Sequence, residues 1–180
     1  SIDVFVETPL RCKAASNGVL ISSIPTAFGK IYHWKHRYPI AAYLIALAVT
    51  NYAEFSDYAH YMGDSVRILN YIYPEDSAYS RANIDRTVPI MEAYMDRFGK
   101  YPFFKEKYGH AQFSRNGGME HQTMGFMGFF NDKLIGHELA HQWFGDKITC
   151  GSWSDIWLNE GFATFAEAIT FEYLYPKIDL

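Results

Sequence analysis

Cysteine is nearly absent, with only Cys12 and Cys150 among 180 residues. A single pair at most could form, so no disulfide framework holds the chain together, and the spacing fits no cysteine zinc pattern. The two could bond in oxidising surroundings or stay reduced, and the sequence does not choose. Long apolar runs are also missing. The longest, Ile40–Val49, has about ten residues where a bilayer needs roughly 20, so no membrane span is expected and the run reads as a buried strand. Positive charge is in no excess: 16 Lys and Arg stand against 20 Asp and Glu, a net charge of −4. The one loose basic cluster, Lys30, Lys35, His36 and Arg37, reads as a solvated strand edge, and no nucleic-acid partner is expected. No basic stretch before an apolar core opens the chain, so no signal peptide is read there. A start at Ser1 without Met reads as that of an excised piece, which leaves cytoplasmic and exported settings both open.

What is present is aromatic. Tyr and Phe number 14 each, and hydrophobic residues make up 49% of the chain against 20% charged. That is a globular composition with enough apolar surface for one ordinary domain, or for two small pieces sharing a core. Val4–Val6, Gly18–Ile24, Gly29–Trp34, Tyr43–Val49, Ala53–Tyr61 and Val66–Ile72 are alternating or β-branched runs broken by Pro and Asn-Gly, and read as strands. From Pro74 the period changes. Ile84, Val88, Met91, Met95 and Phe98 recur at helical spacing up to Gly99, with a kink or break expected at Pro89. Tyr108–Ser114 reads as another strand before the turn at Asn116-Gly117-Gly118. Asn131-Asp132 then caps a helix expected over Lys133–Gly145, and a second helix is expected over Ile156–Leu174. The fold class is therefore α+β.

The chemistry concentrates in His137-Glu138-Leu139-Ala140-His141. Four residues is just over one helical turn, so both imidazoles leave one face about 6 Å apart and can converge on a single metal ion. Neutral imidazole is a good zinc ligand, and His-Glu-x-x-His on a helix is a general signature of zinc peptidases, with the Glu as general base. Glu160, in Trp157-Leu158-Asn159-Glu160-Gly161-Phe162-Ala163, opens the next helical stretch nineteen residues on. A helix–loop–helix hairpin would bring it back as a third ligand. Two histidines and a carboxylate leave a position open for water, the mark of a catalytic rather than a structural zinc site. Gly117-Gly118-Met119-Glu120-His121 is a third feature: the glycines let backbone approach a substrate closely, and Glu120 could hold a cation.

Taken together, Gly117–His121, the His137–His141 helix extended by Gln142-Trp143-Phe144-Gly145-Asp146, and Trp157–Ala163 resemble the M1 family of zinc aminopeptidases, the gluzincins. The motifs occur in the family's order and spacing over roughly residues 100–175. The resemblance implies a division at residue 72. Residues 1–72 would be the closing strands of an N-terminal β domain, reaching through Tyr38-Pro39-Ile40. Residues 73–180 would be the first part of a thermolysin-like catalytic domain. It implies Zn2+ bound by His137, His141 and Glu160, with Glu138 as general base. Glu120 would grip the free α-ammonium of a peptide substrate, and Gly117, Gly118 and Met119 would line the peptide. Glu167, two turns beyond Glu160 on the same helix face, is similar to the family's carboxylate that orients a zinc-bound histidine. Asp155 and Asn159 are weaker candidates of that kind. The family's oxyanion-stabilising tyrosine is expected several tens of residues past the third ligand, too far along for Tyr173 or Tyr175. A catalytically incomplete zinc-binding fragment and a zinc endopeptidase are the competing readings. Oligomeric state and the preferred N-terminal residue are not set by the sequence.

Overall fold

The computed structural model describes residues 1–176. The class is α+β. Three N-terminal strands form one antiparallel sheet in the order β1-β4-β3: β1 (Ile2–Thr8), β3 (Val19–Pro25) and β4 (Lys30–His36). Its alternation is visible in β4, where Tyr32, Trp34 and His36 turn inward. The short strands β2 (Lys13–Ser16) and β5 (Leu47–Thr50) pair separately. The strand expected over Tyr43–Val49 is mostly something else. Ala42–Leu44 is a single 3-10 turn, and only Leu47–Thr50 is extended. Leu44 is fully buried while Leu47 and Val49 are exposed, so the apolar run serves a turn and an edge rather than a sheet centre.

The larger sheet has the order β6-β7-β8-β10-β9: β6 (Ala53–Tyr61), β7 (Asp64–Ile72), β8 (Lys107–Gln112), β9 (Gly118–Met119) and β10 (Gly125–Met127). β7 and β8 are parallel. A parallel pair needs a long crossover, supplied here by α1 (Ser77–Ile84) and α2 (Thr87–Phe98). This sheet takes β6 and β7 from one side of residue 72 and β8–β10 from the other. Strands from both sides of residue 72 are thus hydrogen-bonded into one sheet.

Period-2 alternation explains how the sheet divides the core. Along β7, Ile68 and Ile72 join Met91, Tyr94, Tyr108 and Leu139 on the helical side. Leu69 and Tyr71 join Ala14, Ala15, Trp34 and Phe126 on the side of the N-terminal strands. β8, covered on both faces, is buried at all six positions.

Helix ends differ from expectation in two places. The break falls at Asp85-Arg86, not at Pro89, which is the third residue of α2. An N–H in the first turn has no intrahelical acceptor, so proline costs little there. α3 (Asp132–Ala140) ends five residues before Gly145, with His141 at its C-cap. Its start is as expected, because the Asn131 side chain accepts from the Leu134 N–H. α4 spans Ile156–Leu174. Among the described residues, no helix is long and apolar enough to cross a membrane.

Candidate metal and substrate site

The site begins with how closely α3 and α4 approach. A Cβ at Gly136 would lie 2.5 Å from Thr170 Oγ1 and 3.0 Å from the Tyr94 hydroxyl, so only glycine lets the helices meet here. The Tyr94 hydroxyl lies 3.0 Å from the Gly136 carbonyl on α3, 2.9 Å from the Ala166 carbonyl on α4 and 2.6 Å from Thr170 Oγ1. One side chain of α2 thus sets the spacing of the two helices whose outer ends carry the candidate ligands.

At those ends His137 Nε2 and His141 Nε2 lie 3.2 Å apart. Glu160 Oε2 lies 3.2 Å from the first and 3.6 Å from the second. The far ring nitrogens are occupied. His141 Nδ1 lies 3.1 Å from the Phe144 carbonyl, which can only accept, so this nitrogen carries the hydrogen. His137 Nδ1 lies 2.8 Å from Glu167 Oε1, whose other oxygen is 3.4 Å from Lys133 Nζ. With Nδ1 protonated on both rings, the two neutral imidazoles point lone pairs at each other and at a carboxylate oxygen. Three acceptors cannot satisfy one another, and a cation resolves the conflict. Tetrahedral zinc with ligand distances of about 2.0–2.1 Å places its ligands about 3.3 Å apart, which these spacings match. The donor set therefore fits zinc. Burial works against charge on His141, but the Glu160 hydrogen bond and nearby carboxylates outweigh it and raise its pKa. The same contact with His141 lowers the pKa of Glu160.

Glu138 leaves α3 on the neighbouring side and is 4% exposed, and among the described residues no group donates to its Oε2. Burial first, then the fields of Glu120, Glu160 and Glu167, push its pKa up to about 8 against the pull of His141. Gly118 makes room for it, since a Cβ there would fall 2.2 Å from Glu138 Oε1. Glu120, 8% exposed, offers an oxygen in a group with Glu138 and His141 whose ligand atoms all lie within 4.8 Å of one another. A cleft of about 310 Å³ opens beside these groups, lined by Phe129, Lys133, Leu134, His137, Glu138 and Glu167. Within the Met- and Phe-rich stretch, Met124 and Met127 are core and Phe129 borders the cleft.

The chain is similar to known peptidases in both sequence and structure. The profile of the peptidase family M1 domain matches residues 130–180. An M1 zinc metallopeptidase from Deinococcus radiodurans superposes with a TM-score of 0.86 at 28% identity, over 94% of this chain and 40% of that one. Residues 130–180 thus match the peptidase M1 domain, and the chain as a whole is similar to an M1 zinc metallopeptidase. Among curated relatives, mouse endoplasmic reticulum aminopeptidase 1 is 28% identical over 99% of this chain and 21% of its own length. Bovine aminopeptidase N is 51% identical over 26% of this chain and 5% of its own length. The chain thus spans about a fifth of the first of these relatives. One Deinococcus structure is described as an E323A mutant bound to a Tyr-Ser-Ala substrate, with a TM-score of 0.81 and 26% identity.

Gln142 and Asp146 lie in the extended histidine motif, but no role is assigned to either from sequence. Asp146 is 8% exposed with both carboxylate oxygens unpartnered among the described residues, and burial, then Glu120 and Glu138, raise its pKa well above the ordinary range. Gln142, one residue past His141, accepts from the Thr123 N–H at 2.8 Å. Its place beside a ligand was the available clue. Asn159 is buried with its Nδ2 unpartnered, whereas Asp155 is bound to Ser152 Oγ at 2.7 Å. Tyr175 donates to Asp132 Oδ2 at 2.5 Å and Tyr173 is exposed. Cys12 and Cys150 are both free.

Proposed function

We propose that this chain carries the metal and substrate-amine site of a zinc-dependent aminopeptidase, which removes residues from the free N-terminus of a peptide. His137, His141 and Glu160 would hold the ion, and Glu167 would fix the ring of His137 through its Nδ1. Bound there, zinc would supply Lewis acidity, drawing the pKa of a water toward about 7 and polarising a peptide carbonyl.

The remaining work belongs to the protein. Glu138 takes a proton at its unpartnered carboxylate and returns it to the departing amine. Its buried position makes its protonated form accessible near neutral pH, and a cation at the histidines lowers that pKa again. Glu120 pairs with the substrate α-ammonium and so sets which peptide bond is presented. The Gly117-Gly118-Met119 backbone flanks the chain that enters.

One observation carries the reading. Three mutually unsatisfied acceptors meet beside a second buried carboxylate, Glu120, which has the charge for an amine and lies close enough to Glu138 and His141 to fix its distance from the metal. The test is hydrolysis of a free-amine peptide and its N-acetylated twin by the zinc-loaded protein. Acetylation should suppress turnover, because it removes the charge that Glu120 recognises. Equal rates would instead indicate an endopeptidase, and zinc binding without hydrolysis of either would indicate a binding module.

A further inference from the structure

Glu120 sits on a loop, and the loop is held from an unexpected direction. The turn between β2 and β3, Ser16-Asn17-Gly18, lies more than a hundred residues earlier in the chain. Asn17 is 1% exposed. Its Nδ2 donates to the Gln122 carbonyl at 2.6 Å and to the Leu44 carbonyl at 3.0 Å, while its Oδ1 accepts from the Ala46 N–H at 2.7 Å. Next to it, the Gly18 N–H donates to Thr123 Oγ1 at 2.8 Å. The backbone at Gly18 has φ +75°, and a Cβ there would strike the Lys35 carbonyl at 2.1 Å, so the turn is committed to this shape. Buried Lys107 adds a third tie, donating to the Thr123 carbonyl at 2.7 Å and to the Ser16 carbonyl at 3.2 Å.

The other side of the loop is tied to the metal helix, where the Thr123 N–H donates to Gln142 Oε1. Thr123 has φ +68°, a left-handed conformation that a β-branched residue adopts only when its surroundings impose it. The segment from Glu120 to Thr123 is therefore clamped between the early turn and the residue that follows His141.

From this we infer that Asn17 is a positioning residue for substrate-amine recognition, holding the Glu120 loop at its working distance from the metal ligands. The hydrogen bonds of Asn17 go to Gln122, Leu44 and Ala46 rather than to the ligands or Glu138, so its loss moves the amine pole of the site and leaves the metal pole in place. The inference rests on the amine-binding role proposed for Glu120.

The test compares two inhibitors of the zinc-loaded protein, an α-amino hydroxamate and the same hydroxamate without its amine. Inhibition constants do not depend on how much of a variant is folded, so a partly folded preparation still reports. Asn17→Ala should weaken the amino compound about tenfold and leave the other within about twofold, as expected when a binding group is displaced by a fraction of an ångström. Thr123→Val removes only the acceptor for Gly18 and should act in the same sense but less, which provides a second reading if Asn17→Ala does not fold. Equal weakening of both compounds by both variants, or no weakening of either, would overturn the inference. Glu120→Gln separates the two claims. If Glu120→Gln discriminates between the compounds and Asn17→Ala does not, only the positioning role fails. If Glu120→Gln does not discriminate, the amine reading fails and this inference goes with it.

Discussion

The two sides of the site are built by different means. On one side α3 and α4 present His137, His141, Glu160 and Glu167 from regular helices, spaced by a glycine and a tyrosine in a packed core. On the other side Glu120 stands on an irregular loop whose order comes from side chains far away in sequence. Helices give ligands a fixed geometry, which a metal requires. A loop clamped at both ends can pass close to a substrate without a side chain in the way, as at Gly118. The comparison teaches that the proposed metal affinity and the proposed substrate register rest on separate parts of this protein.

The sharpest way to separate them is at Glu138. Glu138→Gln should retain zinc yet lower turnover by about 10²–10⁴, the range of general-base catalysis, read by steady-state assay with metal analysis alongside. An unchanged rate would remove Glu138 from the role of base. Next in size is Glu167→Gln. A carboxylate that orients a ligand typically contributes 10–100-fold to metal affinity, so zinc should bind about that much more weakly in a competitive chelator titration. No change would mean that the 2.8 Å contact with His137 is incidental.

A smaller effect probes the helix spacing. Gly136→Ala drives a methyl into Thr170 Oγ1 and the Tyr94 hydroxyl, and should cost roughly 1–3 kcal/mol in denaturant unfolding. Zinc affinity should fall with it, while the response to the substrate amine should not. Another effect is expected from pH. Folding raises the pKa of Glu138 from 4.5 to about 8, so the folded metal-free protein binds this proton more tightly than the unfolded chain does. That contribution is complete below about 4.5 and is lost as pH rises toward about 8, so metal-free stability should decline across this window. Thermal melts of Glu138→Gln over the same range should decline less; an equal decline would assign the dependence to other groups, such as Asp146.

The helical side, proposed to hold the metal, was the one whose spacing was legible. Its spacing of four residues within one turn, and seven between Glu160 and Glu167, follows from helix geometry alone and needs no knowledge of the fold. What brings the helices together is not legible in that way, because Gly136 and Tyr94 look like ordinary helix residues until they face each other. The Glu120 loop was visible as a Gly-Gly motif, but its anchors were not. Asn17-Gly18 reads locally as a turn, and nothing near it announces a partner 105 residues away. The apolar run Ile40–Val49 misled for a related reason. Leu44 and Ala46 are buried by what packs over that turn, not by membership of a sheet. Likewise α4 was recognisable as a helix, yet its composition did not reveal that Ala163 and Ala166 face the core while Trp157 and Phe165 stay exposed.

The central claim is that three acceptors from two helices form one metal site, and elemental analysis tests it most directly. After dialysis against dilute zinc, the protein should hold about one ion per chain, and the single substitutions His137→Ala, His141→Ala and Glu160→Gln should each lower that occupancy. A protein that takes up no zinc, or that keeps its zinc through all three substitutions, would contradict the account.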